Sequence, residues 1–261
     1  FWVSMFLAIA VTLLSCSGSS EMPETETRIQ GRLKLISNSK KMVKISGGTY
    51  EAFIGKDSGR IVKVPTFYLD DSPITNAEYL QFLKANPQWA KSKVKRLYAD
   101  STYLQHWKSD FEIPENLSPN APVTNVSWFA AKEYAKSVGK RLPTIDEWEF
   151  VALADRKTKN ASKKPEFTDF ILKSYQKKDK AKQVVAQDSA NYYGVHNMYG
   201  MVWEWTFDFN SVMMSGEARK DTATNDNLFC AGAAVTSSDL RNYAAFVRYA
   251  LRGSLKADYC L

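Results

Sequence analysis

Gly194-Val195-His196-Asn197-Met198-Tyr199-Gly200-Met201-Val202-Trp203-Glu204-Trp205-Thr206 is the stretch on which the reading of this chain turns. It sets two tryptophans around one glutamate, after a glycine turn and an asparagine. As a strand it places Trp203 and Trp205 on one face and Glu204 on the other. The plainer reading is an amphipathic strand with a solvated carboxylate. The sharper one is a hard-cation site, in which Asn197 and Glu204 supply side-chain oxygens and Gly200 and Val202 supply backbone oxygens. An all-oxygen set of this kind suits calcium better than zinc, because nothing in it is soft.

The totals bound the rest. A chain of 261 residues can build one sizeable core and allows one or two domains. Hydrophobic content of 44% with 24% charged residues describes a globular protein and argues against disorder. Aromatic content of 13% suits a loop-rich fold pinned by large rings. The net charge of +7 comes from scattered lysines, densest between Arg156 and Lys182, with no nucleic-acid motif beside them. It reads as a basic solvated surface, and no nucleic-acid partner is expected.

Residues 1–15 are apolar and uncharged, and too short to span a membrane. They lead into Leu13-Leu14-Ser15-Cys16 and then Ser17-Gly18-Ser19-Ser20, which resembles the lipobox of a bacterial lipoprotein signal peptide. On that reading Cys16 becomes a lipid-modified N-terminus. The alternative is an ordinary signal peptide in which Cys16 is incidental. Both carry the protein out of the cytoplasm. Residues 16–40 are polar and read as a flexible tether, leaving 41–261 as the folded domain.

Along that domain, Val43 and Ile45 followed by Gly47-Gly48 predict a strand entering a turn, and a second strand is expected over 64–70. Thr75 caps a helix that carries Tyr79, Phe82 and Leu83 on one face, with Glu78 at the capping-box position. Residues 85–120 read as irregular surface structure. Ser127 caps a helix over Phe129–Val138 that Gly139 stops. Thr144 and Glu147 form a second capping box. Glu147 and Glu149, two apart, do not share a helix face and so are not a catalytic carboxylate pair. Arg156–Lys182 reads as a lysine-rich insertion. No Ser-His-Asp order, phosphate-cradling glycine loop or HExxH motif appears.

Taken together, these blocks resemble the formylglycine-generating enzyme (sulfatase-modifying factor) family. The opening stretch is similar to its "GxxNMxGNVWEW" signature, with Met201 where asparagine is usual. Met42–Tyr50 resembles "MVxIPGGxFxMG", Pro73–Tyr79 resembles "PVTNxEY", and Lys140–Phe150 resembles "GKRLPTEAEWEY". The resemblance implies an α+β, C-type-lectin-like fold, loop-rich, with few helices and short antiparallel strands. It also implies structural calcium at Asn197, Gly200, Val202 and Glu204. The closing segment resembles "C-x-x-x-x-C-x-x-x-R-x-x-x-R", so Asp239, Asn242, Tyr243, Ala244, Arg248 and Arg252 would line the former active-site cleft. The chain stops before the family's "NLGFR" ending and so reads as truncated at its C-terminus.

The family enzyme oxidises a sulfatase cysteine with molecular oxygen and copper(I) held by two cysteines, a soft ion on soft ligands. Here those positions are Asp239 and Ala244. No catalytic residue is therefore assigned, and copper is not expected. Cys230 and Cys260 are read as a disulfide worth about 3–4 kcal/mol, with copper ligation from new positions as the alternative. Related sulfoxide synthases hold iron with three histidines, whereas this chain has only His106 and His196. Arg248 and Arg252 are read either as anion or partner contacts or as buried ion pairs with carboxylates.

The expectation is thus a catalytically silent lipoprotein of the periplasm or outer membrane. It would be held to the bacterial membrane by its N-terminal lipid and act as a binding, scaffold or accessory module for an envelope protein. Gliding, secretion and nitrite-reductase accessory lipoproteins are relatives of that type. The alternative is a metal-dependent oxidoreductase with an altered active site.

Overall fold

Alternation of apolar and polar residues at period two builds four short strands, and capped amphipathic segments build the helices around them. The computed structural model describes residues 40–52, 61–176, 182–210 and 240–260. The strands are β1 (Met42–Ile45), β2 (Gly48–Glu51), β3 (Ile61–Val64) and β4 (Phe67–Asp70). They form two antiparallel pairs, β1 with β4 and β2 with β3. Five α-helices lie among the described residues: α1 (Asn76–Ala85), α2 (Trp128–Ser137), α3 (Ile145–Ala152), α4 (Pro165–Gln176) and α5 (Leu240–Ser254). Few helices, short antiparallel strands and long irregular connections make this a loop-rich α+β fold.

The helix starts are those the sequence dictates. Thr75 and Thr144 each accept a hydrogen bond from the N3 backbone while Glu78 and Glu147 reach back, so both capping boxes are complete. Ser127 caps α2, and Gly139 beyond its end takes a positive φ of 74°. Two buried clusters result. One gathers Ile45, Val64, Phe67, Trp148 and Val151 between the strands and α3. The other gathers Tyr79, Phe82, Leu83, Leu104 and Tyr134 where α1 and α2 meet.

Three expectations are corrected. Residues 85–120 are irregular but not all surface, since Ala99, Tyr103, Leu104 and Trp107 are buried in the second cluster. The Arg156–Lys182 stretch is more than an insertion. It contains α4, whose Phe167 and Ile171 are buried in the first cluster while its one lysine, Lys173, stays at the surface. The 194–206 stretch is not a strand either. Asn197 (φ 57°) and Gly200 (φ 75°) turn the chain out of the extended region, and no strand is assigned there. At Gly200 a Cβ would also collide with the backbone of Ser174, so only glycine serves.

Leu83 is fully buried at the centre of the second cluster. Leu83→Ala is expected to lower stability by about 2–5 kcal/mol, read from the urea midpoint at unchanged denaturant slope.

Candidate functional site

Helix α3 is the element from which the site is built, because its side chains fan out to separate partners. At its N-terminus Asp208 accepts from the Ile145 amide at 2.7 Å, and Arg141 donates twice to Glu147 at 2.7 and 2.6 Å. At its C-terminus the Val151 carbonyl accepts from Asn191 Nδ2 as well as from the Ala154 amide, and the Ala152 carbonyl accepts from the Tyr199 hydroxyl. Trp148 and Glu149 between them carry the site.

Glu149 is buried and holds two guanidinium groups. Arg248 donates to it through Nε at 3.0 Å and Nη2 at 2.6 Å, and Arg252 through Nη1 at 2.6 Å. The two arginines stand one turn apart on α5, so they reach the same carboxylate. All three side chains are 5–8% exposed. The Arg252 guanidinium also lies over the Trp148 ring at 5.0 Å, and Arg248 lies 5.7 Å from the rings of Trp148 and Tyr199. Burial alone would raise the Glu149 pKa. The charges of Arg248 and Arg252 overcome it and hold the carboxyl down to about 2.

Glu204 behaves differently. Its Oε2 accepts from the Trp148 indole at 2.7 Å, and among the described residues it forms no ion pair. Burial is the largest influence on it and raises its pKa, with the Trp148 bond opposing. Asn197 keeps its left-handed backbone while its Oδ1 accepts from the Ala186 amide at 2.7 Å and its own amide donates to Asp188 at 3.1 Å. Asp188 also meets His196 Nδ1, through its carbonyl at 2.9 Å. His196 is thus engaged in holding the loop.

The remaining expected site residues divide as follows. Ala244 is 2% exposed and packs in the first core cluster. Its backbone carbonyl accepts from Arg248 Nη1 at 3.1 Å. Asn242 and Tyr243 fall on the first turn of α5. Asp239, Cys230 and Cys16 lie outside the described residues. Cys260 is a free buried thiol in the second cluster, and burial pushes its pKa up to about 12. Its carbonyl accepts from Thr102 at 2.6 Å and Asn125 at 2.9 Å. Sequence reasoning missed the roles of Trp148 and Glu149. The alternative of arginines paired with buried carboxylates was the one signal pointing to the latter.

Two metals are implied by the resemblance. For copper(I) the described residues do not fit, since Ala244 brings a methyl group where a thiolate is needed. For calcium the donor types do fit. Glu204 has one oxygen left after Trp148, and a bound cation removes the cost of burying its bare charge. Asn197 Oδ1 keeps a second lone pair. Among the described residues no three His, Cys, Asp or Glu side chains form a metal cluster, so any cation here relies on amide and backbone oxygens as well.

Because the folded pKa of Glu149 is depressed from 4.5 to about 2, its contribution to stability is complete above pH 4.5 and is lost as pH falls towards 2. Glu149→Gln should cost about 3–5 kcal/mol at neutral pH by leaving two arginines under-neutralised. It should also flatten the acid limb of the stability profile in that window.

A sequence profile described as the sulfatase-modifying factor enzyme 1-like domain matches residues 32–259. Hercynine oxygenase of Mycobacterium tuberculosis is 31% identical over 163 residues, covering 56% of this chain and 38% of its own length. The chain thus spans well under half of that relative. Inactive C-alpha-formylglycine-generating enzyme 2 of Bos taurus is 25% identical over 224 residues, 68% of this chain and 74% of the relative. Formylglycine-generating enzyme of Streptomyces coelicolor is 26% identical over 233 residues, 70% of each. The crystal structure of CarF aligns with a TM-score of 0.36 at 17% identity, over 61% of this chain and 77% of that one. The chain belongs to the sulfatase-modifying factor enzyme 1-like family.

Proposed function

We propose that the protein is a catalytically silent member of this family that works as a binding or accessory module of the cell envelope. It is anchored through lipid on Cys16 and stabilised by one calcium ion. The observation that carries the reading is the ion triplet of Glu149, Arg248 and Arg252 beside the buried methyl of Ala244. Of the two positions where the family enzyme has copper-binding thiolates, Ala244 offers only a hydrocarbon and Asp239, outside the described residues, is a carboxylate in sequence. The similarity to an inactive formylglycine-generating enzyme adds support.

The alternative, an altered oxidoreductase using Cys230 and Cys260, is less well supported. A thiol pushed up to about 12 is almost wholly protonated at neutral pH, and it is the thiolate that binds copper(I). Envelope placement rests on the N-terminal sequence. No described helix is long and apolar enough to cross a membrane.

In this reading Asn197 and Glu204, with the carbonyls of Gly200 and Val202, hold calcium. The ion neutralises Glu204 and fixes the turn that feeds the Trp203–Trp205 segment against α3. Incubated with copper(I), oxygen and a cysteine peptide from a sulfatase, the protein is expected to return the peptide unmodified. Conversion to formylglycine would overturn the reading. Calcium at about 100 times its dissociation constant should stabilise the fold by about 2.7 kcal/mol, seen as a rise in Tm. Glu204→Gln should abolish that rise while leaving the calcium-free protein no less stable.

A further inference from the structure

Residues of β4, α2 and the 202–205 stretch line a cavity of about 710 Å³, a size typical of small-molecule sites. Its wall is mostly apolar and includes the rings of Phe67, Trp148, Trp203 and Trp205. Tyr134, from α2, also lines it. That residue is 7% exposed, and its ring is held by stacking on Tyr79 at 5.7 Å and meeting Phe82 edge-on at 5.6 Å. Its hydroxyl has no hydrogen-bond partner among the described residues. Tyr50, Tyr79, Tyr103 and Tyr199 are likewise buried, and each of their hydroxyls has one. A polar group on a buried side chain is nearly always bonded, so the exception calls for a partner from outside. Unlike the sealed hydroxyl of Tyr193, that of Tyr134 keeps contact with solvent and is open to a ligand.

The charges near this hydroxyl are already matched. Burial raises the Tyr134 pKa and Glu78 and Asp70 raise it further, so the group stays a protonated donor. Those two carboxylates have cations of their own, Lys40 at 3.3 Å from Glu78 and Lys140 at 2.5 Å from Asp70. Arg141 and Glu147, also on the wall, pair at 2.6 Å. Glu204 is the remaining acid among the lining residues, and calcium neutralises it in the reading above. A charged ligand would give up its water here without finding an unpaired protein charge to meet it.

We propose that this cavity binds an uncharged, ring-bearing alcohol or phenol, whose oxygen accepts a hydrogen bond from the Tyr134 hydroxyl while its rings lie against the aromatic wall. Removal of the rings from water drives entry. The single hydrogen bond selects, because an analogue without the oxygen leaves the buried donor unmet. This deepens the binding-module reading and rests on it for the neutralisation of Glu204.

The test titrates the full chain, with calcium present, against 2-naphthol. Binding is followed by NMR through the indole N–H signals of Trp148, Trp203 and Trp205, which line the cavity. Saturable shifts of these signals are expected. The charged analogues 2-naphthylmethylamine and 2-naphthoate should bind about tenfold more weakly or worse. Tyr134→Phe removes only a hydroxyl without a partner, so the Tm should not fall. The variant should bind 2-naphthol about fivefold to tenfold more weakly and naphthalene as well as before, which also shows that its cavity is intact.

A calcium-loaded protein that ignores 2-naphthol overturns the cavity site alone. So does 2-naphthol binding that Tyr134→Phe leaves unchanged, or that falls no more than naphthalene binding does. Tighter binding of the amine or the carboxylate overturns it as well. A protein that calcium does not stabilise, or that converts the cysteine peptide, overturns the preceding reading whether or not 2-naphthol binds.

Discussion

A carboxylate taken out of water must be met by charge or give up its own, and at Glu149 it is met twice. Arg248 and Arg252 both reach it from α5, tying the last described helix to α3 in the first core cluster. The arrangement leaves one positive charge in excess, spread over the faces of Trp148 and Tyr199. Neighbouring features depend on it in turn. Trp148, held beneath the guanidinium of Arg252, aims its indole N–H at Glu204 and so ties the 203–205 segment to α3. Removing either arginine would disturb α5, the aromatic packing and the Glu204 contact together, a coupling expected of groups in one network.

The same geometry separates structure from chemistry. Glu147 and Glu149 are two residues apart and diverge, the first to a surface arginine and the second to a buried pair. Neither is free to move a proton. Cys260 is placed in the other cluster, with its thiol kept neutral by burial. Among the described residues, the charged groups around α3 hold one another.

Much of the fold was legible because it is written locally. Thr75 with Glu78 and Thr144 with Glu147 announce helix starts within four residues, and both capping boxes form as the spacing predicts. The Val43–Ile45 alternation likewise gives β1. What was not legible depends on long-range partners. Lysines at 156–182 concealed the apolar face of α4, since Phe167 and Ile171 reveal themselves only against Tyr199 and the first cluster. Trp-Glu-Trp looked like a strand because alternation is a local signal, whereas the positive φ of Asn197 and Gly200 is imposed by Asp188, Ala186 and Ser174. The candidate site was half legible. Arg248 and Arg252 stood out from their spacing, but their shared partner lies 99 and 103 residues away in sequence.

We propose that this member of the family holds a cation on the oxygens of Asn197 and Glu204 and has lost the copper chemistry. Metal content of the full chain, purified without chelator and measured with its stoichiometry, tests that most directly. One calcium per chain, lost in Glu204→Gln, with neither copper nor iron, is the expected result. Stoichiometric copper or iron would contradict it.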